Sequence, residues 1–185
     1  MSAAIASTRA TLADLARVEG KAELIAGVVV PFMPTGHRPG LIAVRIIRRL
    51  ADYADAAGGF AYGDNVGFTV PPLSTGRESF SPDAAYYTGP PPADAMRFVP
   101  GAPDFAVEVR SEGDYGPAAE RDLAAKRSEY FEAGTLVVWD VDPVARVVRR
   151  HRAGEADPAV FGAGAEADAE PAAPGWRLSI DWLMG

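Results

Sequence analysis

The stretch PDFAVEVRS constrains the fold more than any other part of the chain. In it Phe105, Val107 and Val109 alternate with Asp104, Ala106, Glu108 and Arg110, the period of a strand with one core face and one charged face. After the turn-rich EGDYGP comes AAERDLAAKRSEYFEAG, a helix closed by Gly134, and then TLVVWDVDP, a strand rich in β-branched residues that Asp142-Pro143 ends. A further strand, ARVVRRHR, lies within a hairpin's reach. This succession belongs to the α/β class. A chain of 185 residues, 48% of them hydrophobic, can bury one good core but not two comfortable domains. Residues 1–185 are therefore expected to form a single domain.

Upstream, residues 8–17 predict a short helix that Thr11 or Ser7 could cap, and KAELIAGVVVPFM predicts two antiparallel strands around a turn at Ala26-Gly27. From His37 to Ala57 the residues Ala43, Ile46, Ile47, Leu50, Ala54 and Ala57 recur at helical spacing, with Arg45, Arg48, Arg49 and Asp52 opposite. Gly58-Gly59 ends that helix. FAYGDNVGFTV is β-rich but punctured by glycine, and with the turn-forming PPLSTGRE it predicts a hairpin-like strand pair leading into SFSPDAAYY. TGPPPADAMRFVPGA reads as a loop with at most one helical turn. Residues 153–174 are dominated by Ala, Gly, Pro and acids. Such a composition has too little apolar bulk to offset the entropy of ordering, so an irregular, partly mobile loop is expected. Residues 175–185 should return to the core as a strand or short helix, burying Trp176, Leu178, Ile180, Trp182 and Leu183.

Cysteine is absent, which excludes disulfides, thiolate metal sites and cysteine nucleophiles. There is no G-x-S-x-G elbow, P-loop or H-E-x-x-H helix, and there are two histidines in all. The N-terminus lacks a basic region followed by an apolar stretch, and no segment approaches the ~20 apolar residues of a membrane span. A cytoplasmic protein without membrane contact is expected. The net charge of −7 argues against strong non-specific nucleic-acid binding, although an average can hide a local basic surface.

The residues with most chemical potential are Asp83, in SPDAAYY, and Glu108, in FAVEVRS, each on its own β segment. Adjacent strands would bring the two carboxylates together, where they repel unless protonated or bridged by a cation. Hard oxygen ligands favour Mg²⁺ or Mn²⁺. The plainer alternative makes Asp83 a turn residue after Pro82 and Glu108 a solvated sheet charge. On the next helix Lys126 lies at the edge of the stripe formed by Leu123, Tyr130 and Phe131, so it either pairs with carboxylates or snorkels to water. Arg127 lies nearer the middle of that stripe; it is a poor base but a good anchor for carboxylate or phosphate. Asp104 lies four residues before Glu108, roughly 13 Å along an extended strand, and is expected to be structural.

KAELIAGVVV, PTGH opening a long helix, SPDAAYY, GAPDFAVEVRS, the lysine-bearing AAKRSEYFEAG and VVWDVDPVARVVRRHR stand in an order and spacing that resemble the Uma-two family of restriction-endonuclease-like proteins. The similarity covers about residues 20–152, and PGWRLSIDWLMG resembles the family's C-terminal close. The resemblance implies a PD-(D/E)xK nuclease fold: a mixed central sheet flanked by helices, with an N-terminal hairpin. It implies that Asp83 and Glu108 are metal ligands and that Glu23 is an additional acidic site residue; an exposed strand charge is the alternative for Glu23. The superfamily pattern would place lysine two residues after Glu108, where this chain has Arg110. In proteins resembling this family the lysine role moves to the following helix, and Lys126 occupies that place. His37 begins the long helix as a histidine does in many resembling sequences, and could approach the site or a phosphate.

On that reading Asp83, Glu108 and the main-chain carbonyl of Val109 hold one or two Mg²⁺ or Mn²⁺ ions, while Lys126 orients the attacking water or stabilises developing charge. The expected partner is nucleic acid, DNA first, contacted through Arg45, Arg48 and Arg49 or through the basic strand Arg146, Arg149, Arg150, His151 and Arg152, unless these are solvated faces. Open sheet edges and family habit suggest a homodimer. The rival reading is a catalytically degraded module that keeps the fold and binds nucleic acid or a protein.

Overall fold

Ala26 and Gly27 both take positive φ, 51° and 76°, the combination that a tight hairpin turn with right-handed twist demands. In this computed structural model, which describes residues 9–185, they join β1 (Ala22–Ile25) to β2 (Val28–Pro31) as the sequence predicts. The preceding helix, α1 (Leu12–Leu15), is shorter than its predicted span and is capped by Thr11 in a reciprocal capping box with Asp14. Ser7 and Thr8 lie outside the described residues.

The long helix α2 (His37–Ala57) buries Ile42, Ile46, Leu50 and Ala54 on one stripe, and Gly58 closes it with φ 88°. The glycine-punctured stretch forms β3 (Phe60–Gly63) and β4 (Phe68–Thr69), and β4 pairs antiparallel with β5 (Ser79–Phe80) across PPLSTGRE. After β6 (Ala84–Tyr87), the predicted loop carries one short strand, β7 (Val99–Pro100), parallel to β4.

Then come β8 (Phe105–Val109), α3 (Pro117–Glu132), β9 (Val137–Asp142), β10 (Val147–Arg152) and β11 (Ala159–Phe161). The central sheet has the order β11-β10-β9-β8-β6-β3. Its β8–β9 pair is parallel and the other pairs antiparallel; α3 supplies the crossover that a parallel pair requires. The fold is thus a mixed sheet between helices. The expectation of one charged face on β8 needs correcting: Phe105, Ala106 and Val107 are all fully buried. A strand flanked by β6 and β9 in the middle of a two-sided layer has both faces covered. Phe105, Val107 and Val109 join the cluster beneath α2, while Ala106 joins Phe68, Phe80 and Tyr130 on the other side.

The largest departure from expectation is at residues 153–174, where the chain is ordered rather than irregular. It contributes β11, then β12 (Glu166–Ala169), which pairs with β13 (Ala173–Ser179). Ala167, Ala169 and Ala173 are fully buried, in one cluster with Trp139 and Trp176. Their small size lets a strand lie close against bulky indoles, so the alanines that looked like missing apolar bulk are the complement of aromatic volume supplied elsewhere. The Trp139 indole N–H donates to the Asp168 carbonyl at 2.9 Å, and the Asp168 carboxylate holds Arg150 and Arg152. Ala167→Leu is therefore expected to cost about 1–3 kcal/mol through overpacking, read as a lowered denaturant midpoint; a mobile loop would leave the midpoint unmoved.

The chain closes with α4 (Ile180–Met184), capped by Ser179. Trp176, Leu178, Ile180 and Leu183 are buried as expected, but Trp182 is 36% exposed and Met184 is buried instead. The helical turn rotates Trp182 outward, where the Arg49 guanidinium lies 4.9 Å from its ring centre. Among the described residues no helix is long and apolar enough to cross a membrane.

Candidate active site

Because β6 and β8 are antiparallel, the start of one and the end of the other meet at the same sheet edge. Asp83, one residue before β6, donates its N–H to the Val107 carbonyl at 3.0 Å, and its Oδ2 accepts the Val109 N–H at 2.7 Å. Side chains alternate across the sheet, so Asp83 and Glu108 both face the α3 side. The two carboxylates that the sequence singles out are neighbours.

From α3, Lys126 reaches down with Nζ 2.9 Å from Glu108 Oε1 and 3.0 Å from Glu23 Oε1. One turn later the Tyr130 hydroxyl donates to the same Glu108 Oε1 at 2.6 Å, as the i,i+4 spacing allows. Glu108 Oε2 has no hydrogen-bond partner among the described residues. Lys126 therefore pairs rather than snorkels.

Glu23 is fully buried, not an exposed strand charge. Its Oε1 also accepts the Ser81 N–H at 2.9 Å, and its Oε2 is bonded by Arg77. Arg77 in turn donates through Nε to Glu129 Oε2 at 2.6 Å. The result is an alternating chain of charge, Glu129–Arg77–Glu23–Lys126–Glu108, tying α3, the N-terminal hairpin and β8 together.

A second lysine enters that the sequence reading missed. Lys21 Nζ lies 2.7 Å from Asp83 Oδ1 and 2.8 Å from Asp64 Oδ1. The available signal was its spacing: Lys21 stands two residues before Glu23, and that interval puts both on one face of a strand.

Burial pushes the Glu108 carboxyl above its ordinary value against the pull of Lys126, and the carboxylates of Asp83 and Glu23 add to the rise. Burial acts to depress Lys126, but Glu108 and Glu23 outweigh it and hold the ammonium charged. Burial likewise opposes ionisation of Glu23, and Lys126 with Arg77 reverses the balance and lowers it. Counting Asp64, Asp83, Glu23 and Glu108 against Lys21 and Lys126, with Arg77 matched by Glu129, the cluster is two positive charges short. It opens into a cleft of about 1160 Å³.

A family model described as "Uma2: Putative restriction endonuclease" matches residues 10–181. The chain belongs to the Uma2 family. A solved structure from Anabaena variabilis, described as a "putative nuclease belonging to DUF820", has a TM-score of 0.75 against it, covering 94% of this chain and 97% of that one at 19% identity. At that identity the likeness is one of fold. No curated protein matches significantly.

In this Uma2 chain the position two residues after Glu108 is closed to chemistry. Arg110 is buried and held bidentately by Asp140, at 2.7 and 2.6 Å, and by Glu120. It makes no bond to Glu108, while Lys126 does. Arg127 is half-buried with no ion pair among the described residues, and burial depresses its guanidinium. Val109 lines the cleft beside Asp83. His37 is exposed at the first residue of α2 and does not line the cleft, so the structure does not bring it to the carboxylates. Asp104 accepts from the Thr88 N–H and hydroxyl, a structural role.

Most arginines of the two basic surfaces are engaged within the chain. Arg45 donates to the Leu183 carbonyl at 2.8 Å and lies with Arg49 against Trp182, so both arginines hold the C-terminal helix; Arg48 alone of the three is exposed without such a bond. On β10, Arg149 pairs with Asp142, and Arg150 and Arg152 with Asp168. The Arg146 guanidinium donates to the Gly185 carbonyl at 3.3 Å.

His151, opposite Val138 on β9, has a buried Nε2 without a hydrogen-bond partner among the described residues. Burial first, then the Arg127 charge, lowers it to about 4, with Arg149 and Arg110 adding and Asp140 opposing. The unfolded chain takes up this proton near 6.5 and the folded chain only near 4, so stability is full above about pH 6.5 and is lost as pH falls through 4. Allowing for the solvent-facing part of the ring, the loss is about 2 kcal/mol. His151→Leu should flatten the wild-type fall in denaturant midpoint between pH 7 and pH 4.5; an unchanged slope would remove His151 as its source.

Proposed function

We propose that this Uma2 protein is a metal-dependent endonuclease that hydrolyses phosphodiester bonds of DNA. The observation that carries the reading is the convergence of Asp83, Glu108 and Lys126 at one strand edge inside an open cleft. The donor set suits a hard divalent cation: two carboxylates, one with an oxygen left without a donor, beside the end of β8 where the Val109 carbonyl lies. The missing positive charge of the cluster points the same way. Among the described residues no group of three His, Asp or Glu side chains is placed to hold a metal ion, so the site needs main chain, water and substrate phosphate to complete it. Asp83, Glu108 and the Val109 carbonyl would hold Mg²⁺ or Mn²⁺, which when bound lowers the pKa of a water and polarises a phosphate.

The protein's own residues do the rest. Lys126, fixed by Glu23 and Tyr130's neighbour Glu108, presents an ammonium that orients the attacking water or takes up charge developing on the phosphate. Lys21 performs the corresponding task at Asp83, and both lysines keep the acidic cluster folded before a cation enters. Glu23 sets the position of Lys126 from beneath.

The test is Mn²⁺- or Mg²⁺-dependent cleavage of plasmid and single-stranded DNA, combined with Mn²⁺ titration followed calorimetrically for the wild type and Asp83→Ala. Binding of Mn²⁺ that Asp83→Ala removes, with cleavage, is the expected result. DNA binding without metal-dependent cleavage would instead favour a degraded binding module.

A further inference from the structure

The cleft of this protein is poorly equipped to hold a duplex. Its cations are Lys21, Arg77, Arg110 and Lys126, and each is already bonded to a carboxylate of the chain. Toward solvent its walls carry Glu19, Asp64, Asp114 and Asp122, and the chain as a whole has a net charge of −7. Affinity for double-stranded DNA rests on neutralising the phosphates of both strands. Among the described residues, the cleft has no uncommitted cation to do so.

What it has is an apolar lip. Phe32 and Met33, between β2 and α2, form part of the cleft wall and are 38% and 88% exposed. The Phe32 ring centre lies 5.4 Å from Lys126 Nζ and 6.0 Å from Lys21 Nζ. It therefore overhangs both ammonium groups that hold Glu108 and Asp83. An aromatic face so placed can take an unpaired base, whose flat surface is free, whereas each base inside a duplex is covered by its neighbours.

We propose that Phe32, with Met33 beside it, is a stacking platform for an unpaired nucleobase, and that the cleft takes single-stranded DNA in preference to duplex. This deepens the nuclease reading and rests on it. A base seated on Phe32 lies beside the ammonium groups that touch Glu108 and Asp83, which brings the adjoining phosphate to the carboxylate pair. Stacking supplies the attraction that the acidic walls withhold, because it depends on the π-face of a base and not on its charge.

The experiment uses the full chain and a short oligodeoxynucleotide carrying one 2-aminopurine, as a single strand and annealed to its complement. Binding is read by fluorescence with Ca²⁺ in place of Mg²⁺, and cleavage of the same two substrates is read with Mn²⁺. The single strand should bind about tenfold more tightly than the duplex, with the 2-aminopurine quenched by stacking. Phe32→Ala should abolish the quenching and weaken single-strand binding by about tenfold, and Phe32→Tyr should restore both. Equal affinity for the two forms, quenching that persists in Phe32→Ala, or an equal loss on both substrates would overturn the platform. The two readings fail separately. Quenching without cleavage of any substrate leaves the platform and removes the nuclease; cleavage without quenching does the reverse.

Discussion

Glu108→Ala is expected to reduce metal-dependent cleavage by about 10³-fold or more while leaving the protein folded. One electrostatic group aimed at a reacting phosphate accounts for about 10²–10³ in rate, and Glu108 has two tasks. It presents an oxygen free of protein donors, and it fixes Lys126 and Tyr130 through the other. Removing it leaves the Tyr130 hydroxyl, buried against Phe80 at 4.2 Å, without its acceptor, at a cost of about 1–3 kcal/mol. The same substitution relieves a carboxylate that burial already holds above its ordinary pKa, so the net loss of stability should be small. Glu108→Gln separates the effects, since an amide oxygen still accepts from Tyr130 but carries no charge. Initial rates on single-stranded and plasmid DNA, with circular dichroism to confirm folding, decide the matter. Cleavage at the wild-type rate in Glu108→Ala would end the assignment of this residue.

Glu23→Ala should be the most damaging substitution for stability, about 3–5 kcal/mol, the cost of breaking a buried ion pair from one side. Glu23 is fully buried and touches two cations and a main-chain N–H. Without it Arg77 keeps Glu129 and Lys126 keeps Glu108, but each loses the fully buried carboxylate that is its inner partner. The hairpin also loses the charged ties to α3 that run through Glu23. Glu23→Gln should cost less, because the Ser81 N–H retains an acceptor. Equilibrium unfolding in urea measures the difference; a loss under about 1 kcal/mol would mean that solvent enters and screens the network.

Much of this arrangement was legible in the sequence because its elements follow strong periods. The α2 stripe, the Ala26-Gly27 turn, the presence of strand β8 though not its second buried face, and the Gly134 stop of α3 are all local signals, and the pairing of Asp83 with Glu108 follows once β6 and β8 are neighbours. The alanine-rich β12 and the start of β13 were illegible for a different reason. Ala167 and Ala173 carry little apolar bulk themselves, and their burial depends on Trp139 and Trp176, which a local window does not bring together. Lys21 was lost in the same way: nothing near it in sequence shows that the hairpin folds back onto Asp83. His37 looked promising because it opens a helix, but α2 directs its first residue to solvent.

Trp139, Trp176 and Trp182 all belong to the half of the molecule closed by the C-terminal segment, and the first two have ring centres 5.2 Å apart, with Phe105 within 5.7 Å of both. The cleft opens on the opposite side of the sheet and has no indole in its lining. Selectively excited tryptophan emission will therefore follow the docking of β12, β13 and α4 and remain nearly silent when a ligand enters the cleft. The molecule thus has two optically separate halves, in one of which unfolding can be watched without interference from binding in the other.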